Sequence, residues 1–175
     1  MRIHQDYFRH ILFAFLLLSL TPAFAQGDKA NVYRLQIGAA ALYERGLEAT
    51  IGVEHEGRYH NAWEVFGSAY IKWEKDASVG HVTKESFWDS YFCYQLGAAY
   101  KPCITRGRNN HGNLRIGAMG GSDTHKFIGG PTLGYEHTYT FPAGWELFWQ
   151  IKEDIMFRTD DIFRTGVALG VKIPL

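Results

Sequence analysis

Beyond residue 20 the sequence has no apolar run approaching the roughly 20 residues that a membrane-spanning helix needs. It has only two cysteines, Cys93 and Cys103, with no CxxC motif and no cysteine–histidine pair at metal-binding spacing, and its eight histidines are scattered. Neither sign of charge is in surplus, because 18 basic and 18 acidic residues give a formal net charge of 0. Low-complexity segments and long linkers are absent. These absences argue against a bundle of membrane helices, a disulfide scaffold and a zinc module, and the even charge gives no basic footprint for nucleic acid. The two cysteines are expected to remain thiols. One falls within a strand and the other just past its end, so an extended chain holds them roughly 30 Å apart.

The N-terminus is the exception to this evenness. Arg2 and Arg9 precede the apolar run ILFAFLLLSL at 11–20, which is followed by TPAFAQ. Ala23 and Ala25 form the small-x-small pattern of a signal-peptidase site, so residues 1–25 read as a signal peptide cleaved after Ala25. No cysteine follows that site, so a lipoprotein anchor is not expected. Residues 26–175 form one domain. Losing Arg2, Arg9 and Asp6 reduces 18 basic and 18 acidic residues to 16 and 17, a net charge of −1.

What remains is dominated by a period of two. In NAWEVFGSAYIKWEK, residues 61–75, Trp63, Val65, Gly67, Ala69, Ile71 and Trp73 share one parity, and Glu64, Phe66, Ser68, Tyr70 and Lys72 share the other. That alternation, rich in β-branched and aromatic residues, predicts a strand. Ten residues at about 3.3 Å each, tilted near 40°, rise roughly 25 Å, the height of the apolar band on an outer-membrane barrel. The pattern recurs over about 31–42, 46–55, 62–74, 87–101, 112–121, 128–141, 145–157 and 163–175, with polar or Gly/Pro/Asn-rich breaks between.

The two parities differ in kind. One carries aliphatics with aromatics concentrated at strand ends: Trp63, Trp73, Trp88, Tyr100, Tyr139, Trp145 and Trp149. Its one charged residue is Glu153. The other carries Glu48, Glu54, Glu64, Asp89, Glu136, Glu146 and Asp154 against Arg34, Lys72, Lys101, Arg115, Lys152, Arg164 and Lys172, with glycines between. Girdles of aromatics on an apolar wall, and paired charges opposite, predict an all-β fold: an eight-stranded antiparallel up-and-down transmembrane β-barrel with a filled polar interior. A soluble lipocalin-like barrel has the same strand count, but it would place the apolar parity inside, where so many large side chains would overfill it. With both termini in the periplasm, the breaks at 43–46, 74–87, 121–128 and 157–163 face outward and those at 55–61, 102–112 and 142–144 face the periplasm.

Sites for chemistry are thin. Ser122, Asp123 and His125 share one loop, GSDTH, a spacing that reads as a polar turn. Glu136, His137 and Thr138 diverge, since His137 has the lipid-facing parity. The paired glycines at 120–121 and 129–130 do not join a strand to a helix and so are not phosphate loops. The expectation is a non-enzymatic protein with no cofactor, no metal, no nucleic-acid contact and no small-molecule substrate, embedded in outer-membrane lipid. An adhesin or ligand receptor working through the loop at 75–86, or a lipid-modifying barrel enzyme, is the alternative. Lys101, Arg106 and Arg108 in KPCITRGRNNHGN carry three positive charges and no acid, and mark a candidate partner-binding turn.

Several stretches resemble the TraO family of conjugal transfer proteins, encoded by conjugative transposons of Bacteroidetes. They are RGLEATIGVE at 45–54, RGRNNHGNLRIGAMGG at 106–121, FIGGPTLGYEHTYTF at 127–141 and the closing WELFWQIKEDIMFRTDDIFRTGVALGVKIPL. The resemblance implies an outer-membrane component of a transfer apparatus with protein partners in that apparatus, and supplies no catalytic residues.

Overall fold

The computed structural model describes residues 31–43, 46–73, 91–159 and 161–175. The expected leader, the loop at 75–86, and Trp88 and Asp89 lie outside the described residues. Nine strands form one sheet: β1 (Val32–Leu42), β2 (Gly46–Glu56), β3 (Ala62–Lys72), β4 (Tyr91–Lys101), β5 (Cys103–Arg106), β6 (Asn110–Ser122), β7 (Phe127–Thr140), β8 (Glu146–Ile155) and β9 (Phe163–Pro174). Every pairing is antiparallel, and β9 returns to pair with β1, so the sheet closes. Both β4 and β5 pair with β6. Between them Pro102, which has no N–H to give the ladder, interrupts what is otherwise one wall strand. The wall therefore has eight strands in up-and-down order. One expected boundary needs correction: 102–112 is not all turn, because β5 and the start of β6 lie within it, leaving 107–109 to reverse the chain.

The register fixes the barrel's shape. From Tyr33 the partners run His55, Trp63, Tyr100, Ile116, Leu133, Glu153 and Thr165. The Thr165 carbonyl then accepts the Tyr43 N–H at 2.8 Å, ten residues along β1 from the start. A stagger of ten over eight strands, with about 3.3 Å per residue and about 4.8 Å between strands, tilts them by about 40°, within the range for closed barrels. An eleven-residue strand such as β3 then rises about 27 Å along the axis.

Alternation places the apolar parity outside. Ile51, Val65, Leu96 and Leu169 are 57%, 65%, 72% and 62% exposed, and the charged parity is buried, the reverse of a soluble barrel. A continuous apolar wall of this kind is made for lipid rather than water. Among the described residues no helix is long and apolar enough to cross a membrane; the crossing elements are strands. Inward aromatics face glycines on the neighbouring strand. Phe66 pairs with Gly97 and Phe148 with Gly170, and a Cβ on either glycine would come within 2.5 Å of the ring.

Both described chain ends lie at one end of the barrel, where the Leu175 N–H donates to the Tyr33 carbonyl at 2.9 Å. This terminal end also carries the turns at 57–61, 107–109 and 141–145, while the opposite loop end carries the turn at 123–126, the ends of β1, β3 and β8 and the starts of β2, β4 and β9. At 141–145 the Gly144 N–H donates to the Phe141 carbonyl, with Gly144 at φ +88°, a conformation that suits a residue without a Cβ.

Candidate functional site

Four of the five tryptophans are described, and three of them sit at the terminal rim. Trp63 packs on Tyr100 with ring centroids 4.8 Å apart, Trp149 on Tyr135 at 5.5 Å, and Trp145 on Phe141 at 4.0 Å, which in turn meets Tyr139 at 5.0 Å. Trp73 lies at the other end, one residue past β3, and is half-buried.

Inside the terminal half, charges from six strands converge. The Lys101 ammonium lies 2.7, 2.9 and 2.8 Å from carboxylate oxygens of Glu54, Glu64 and Glu136. Lys172 reaches the same Glu54 and Glu136 at 2.8 and 2.7 Å, and Arg115 Nε donates to Glu64 at 3.0 Å. All six residues are at most 4% exposed. Three carboxylates and three cations thus form a neutral sextet. Nearer the terminal mouth Arg34 bridges Glu56 and Glu146, and Glu56 also pairs with the His60 ring. Toward the loop end Lys152 joins Glu48 and Asp154, each at 2.7 Å. Thr132 links this group to the sextet by donating to Asp154 at 2.6 Å and accepting from Arg115 at 2.9 Å.

The interior is not polar throughout. In the loop-end half Leu42, Phe66, Tyr70, Cys93, Met119, Ile128 and Met156 make an apolar cluster. Arg164 is buried beside it with no carboxylate partner among the described residues. Its guanidinium lies 4.3 Å from the Tyr70 ring centroid and donates to Cys93 Sγ at 3.3 Å. Both cysteines are free thiols, and Cys93 is buried.

Of the expected lumen residues, Arg34, Glu48, Glu64, Arg115, Glu136, Lys152 and Arg164 are buried inside. Lys72 sits at the loop mouth, paired with Asp161 at 2.5 Å. Lys101 requires a correction. Its expected inward parity holds, but it is no part of the basic turn: it is the last residue of β4, is 0% exposed, and is fully engaged by three carboxylates. Glu56 was overlooked because it falls where strand and turn meet; its inward parity was the available signal.

The loop motif GSDTH builds its own turn. Asp123 Oδ1 accepts the backbone N–H groups of His125 and Lys126 at 3.1 and 2.9 Å, and Ser122 Oγ donates to the Lys126 carbonyl at 3.2 Å. Burial alone would raise the Asp123 pKa, but the donated backbone hydrogen bonds outweigh it and hold the carboxyl below its ordinary value. His137 faces outward, its Nδ1 3.0 Å from the Tyr135 hydroxyl.

No family model matches the chain, and no curated protein does. Two solved structures are similar to it. A de novo designed transmembrane β-barrel aligns over 86% of this chain and 100% of its own, at 10% identity and a TM-score of 0.57. Neisserial surface protein A aligns over 86% of this chain and 100% of its own, at 13% identity and a TM-score of 0.48. The chain has the fold of an eight-stranded transmembrane β-barrel.

Proposed function

We propose that the protein is an outer-membrane barrel that serves as a non-enzymatic anchor in a conjugative DNA-transfer apparatus, with its terminal end in the periplasm. The observation carrying the anchoring role is the neutral sextet: the terminal half of the lumen is occupied by the barrel's own side chains rather than left for a solute. The apolar wall supports residence in lipid, and the N-terminal leader pattern supports export. The use of Ser122 and Asp123 by their own turn supports a role without catalysis. The similarity of four stretches to the TraO family supports conjugation as the setting. DNA is not a partner in this reading, since the barrel offers neither a basic stripe for phosphates nor an empty lumen.

Two measurements test it. Fractionation should place the protein in the outer membrane, and in detergent it should migrate faster unheated than boiled. Deleting the gene in a donor cell should reduce the number of transconjugants. Undiminished transfer would remove the conjugative role. Recovery in the soluble periplasm would remove the membrane one.

A further inference from the structure

The geometry points to a docking surface across the terminal mouth for an acidic segment of a protein partner, formed by Arg58, Tyr59, Arg106 and Arg108 from two separate turns. It rests on the periplasmic placement of that end.

The surface begins with a β-bulge. Cys103 pairs with Asn113 in the register of β4, but the next pairs are Thr105 with Gly112 and Arg106 with His111. One extra residue on β5 shifts every later side chain to the other face. Without the shift Arg106 would carry the lipid-facing parity of Tyr100. With it, Arg106 falls opposite His111, which is buried and inward. The bulge therefore aims a guanidinium at the mouth instead of at lipid.

The β2–β3 turn meets it there. His60 is anchored inward: its ring pairs with Glu56 and stacks on His111 with centroids 4.4 Å apart, and its carbonyl accepts from Asn113 Nδ2 at 2.7 Å. Tyr59 and His60 are both held at positive φ, +62° and +59°, which residues with a Cβ rarely adopt. With His60 fixed, Tyr59 is turned out to 54% exposure, and the Arg106 guanidinium lies 5.0 Å from its ring centroid. Arg58 and Arg108, beside them, are exposed.

The charge on this surface is of one sign. None of Arg58, Arg106 and Arg108 forms an ion pair with a described carboxylate. The acids beneath, Glu56 and Glu146, are buried and share Arg34. Two exposed arginines, Arg58 and Arg108, and the half-buried Arg106 around a rigidly displayed tyrosine are the residue types that anchor protein interfaces, and their charge selects carboxylates. A phospholipid surface is the weaker occupant, because the aromatic girdle through Trp63 and Tyr100 marks where the wall meets lipid, and the bulge turns Arg106 away from that side. A second copy would present the same positive charge.

The test places a photo-crosslinking amino acid at Asn109, exposed beside Arg108, in the full-length protein in its own cells. Mass spectrometry then identifies what is captured. The expected adduct is a segment rich in Asp and Glu from a periplasmic protein, and its yield should fall at least tenfold when Arg58, Arg106 and Arg108 are changed to Glu while the heat-dependent gel shift is retained. A purified barrel in detergent should also bind a fluorescent 15-residue Asp/Glu peptide more tightly than a Lys/Arg peptide of equal length, and the triple variant should lose that preference. Adducts to phospholipid alone, to a segment without excess acid, or of unchanged yield in the triple variant would each overturn the proposal. Its failure is separable from that of the conjugative role. Transfer lost on gene deletion but normal in the triple variant sinks only the docking surface, whereas an arginine-dependent acidic adduct with undiminished transfer sinks only conjugation.

Discussion

Replacing Lys101 with Met removes one cation from a balanced group of six. Its ammonium is within 2.9 Å of three carboxylates and also donates to Gln36 Oε1 at 3.1 Å. Lys172 and Arg115 remain, so two cations then face Glu54, Glu64 and Glu136. A buried charge left without compensation costs about 3–5 kcal/mol. Adding Glu136→Gln restores neutrality with two cations and two carboxylates, so the double variant should lose only about 1–2 kcal/mol in hydrogen bonding. The second substitution is therefore expected to recover roughly 2 kcal/mol. Urea titration of the barrel in lipid vesicles, followed by tryptophan fluorescence and the unheated gel shift, measures all three proteins. A Lys101→Met variant within about 1 kcal/mol of the parent, or a double variant less stable than the single, would refute the idea that charge balance holds this interior together.

Other parts of the molecule give sharp outcomes. Arginine at Ile51 or Leu169, on the exposed apolar wall, should cost about 2–4 kcal/mol in vesicles, while arginine at Trp73, beyond the end of β3, should cost about 0–1 kcal/mol; equal costs would mean the wall is not lipid-facing. Cys93, 0% exposed, should resist a maleimide until the barrel unfolds, whereas Cys103 should label in the folded protein, and early labelling of Cys93 would show an open loop-end interior. Gly97→Ala would bring a methyl group within 2.5 Å of the Phe66 ring and 2.8 Å of the Ala118 carbonyl oxygen and should cost about 1–3 kcal/mol, with only the part due to the ring recovered in combination with Phe66→Leu. If Gly97→Ala destabilises the parent and the Phe66→Leu variant equally, the ring is not what the glycine accommodates.

The wall was legible because its signal is local. Alternation through Trp63, Val65 and Ile71, or Leu169, Val171 and Ile173, needs only neighbours in sequence, and it located the strands and which parity is apolar. The loop-end apolar cluster was not legible. Leu42, Tyr70, Met119, Ile128 and Met156 come from five different stretches and make no run in the sequence; the ten-residue stagger brings them together. Lys101 was legible only in its inward parity: a lysine before proline and a basic segment also looks like part of a turn, and its pairing with Ala62 and contacts with Glu54 and Glu136 are what exclude that second reading. The bulge at Cys103–Thr105 was also hidden, since a one-residue register shift leaves no compositional trace.

The sextet draws its members from β2, β3, β4, β6, β7 and β9, and Lys172 and Glu54 are 118 residues apart in the chain. No pair of adjacent strands can assemble it. Until β9 meets β1 these six charges remain hydrated, and an unclosed sheet in contact with lipid would have to expose them to hydrocarbon. The complete pairing of the six charges therefore requires the closed barrel. A half-inserted sheet would leave part of this group unpaired against hydrocarbon, and opening the finished ring carries the same cost.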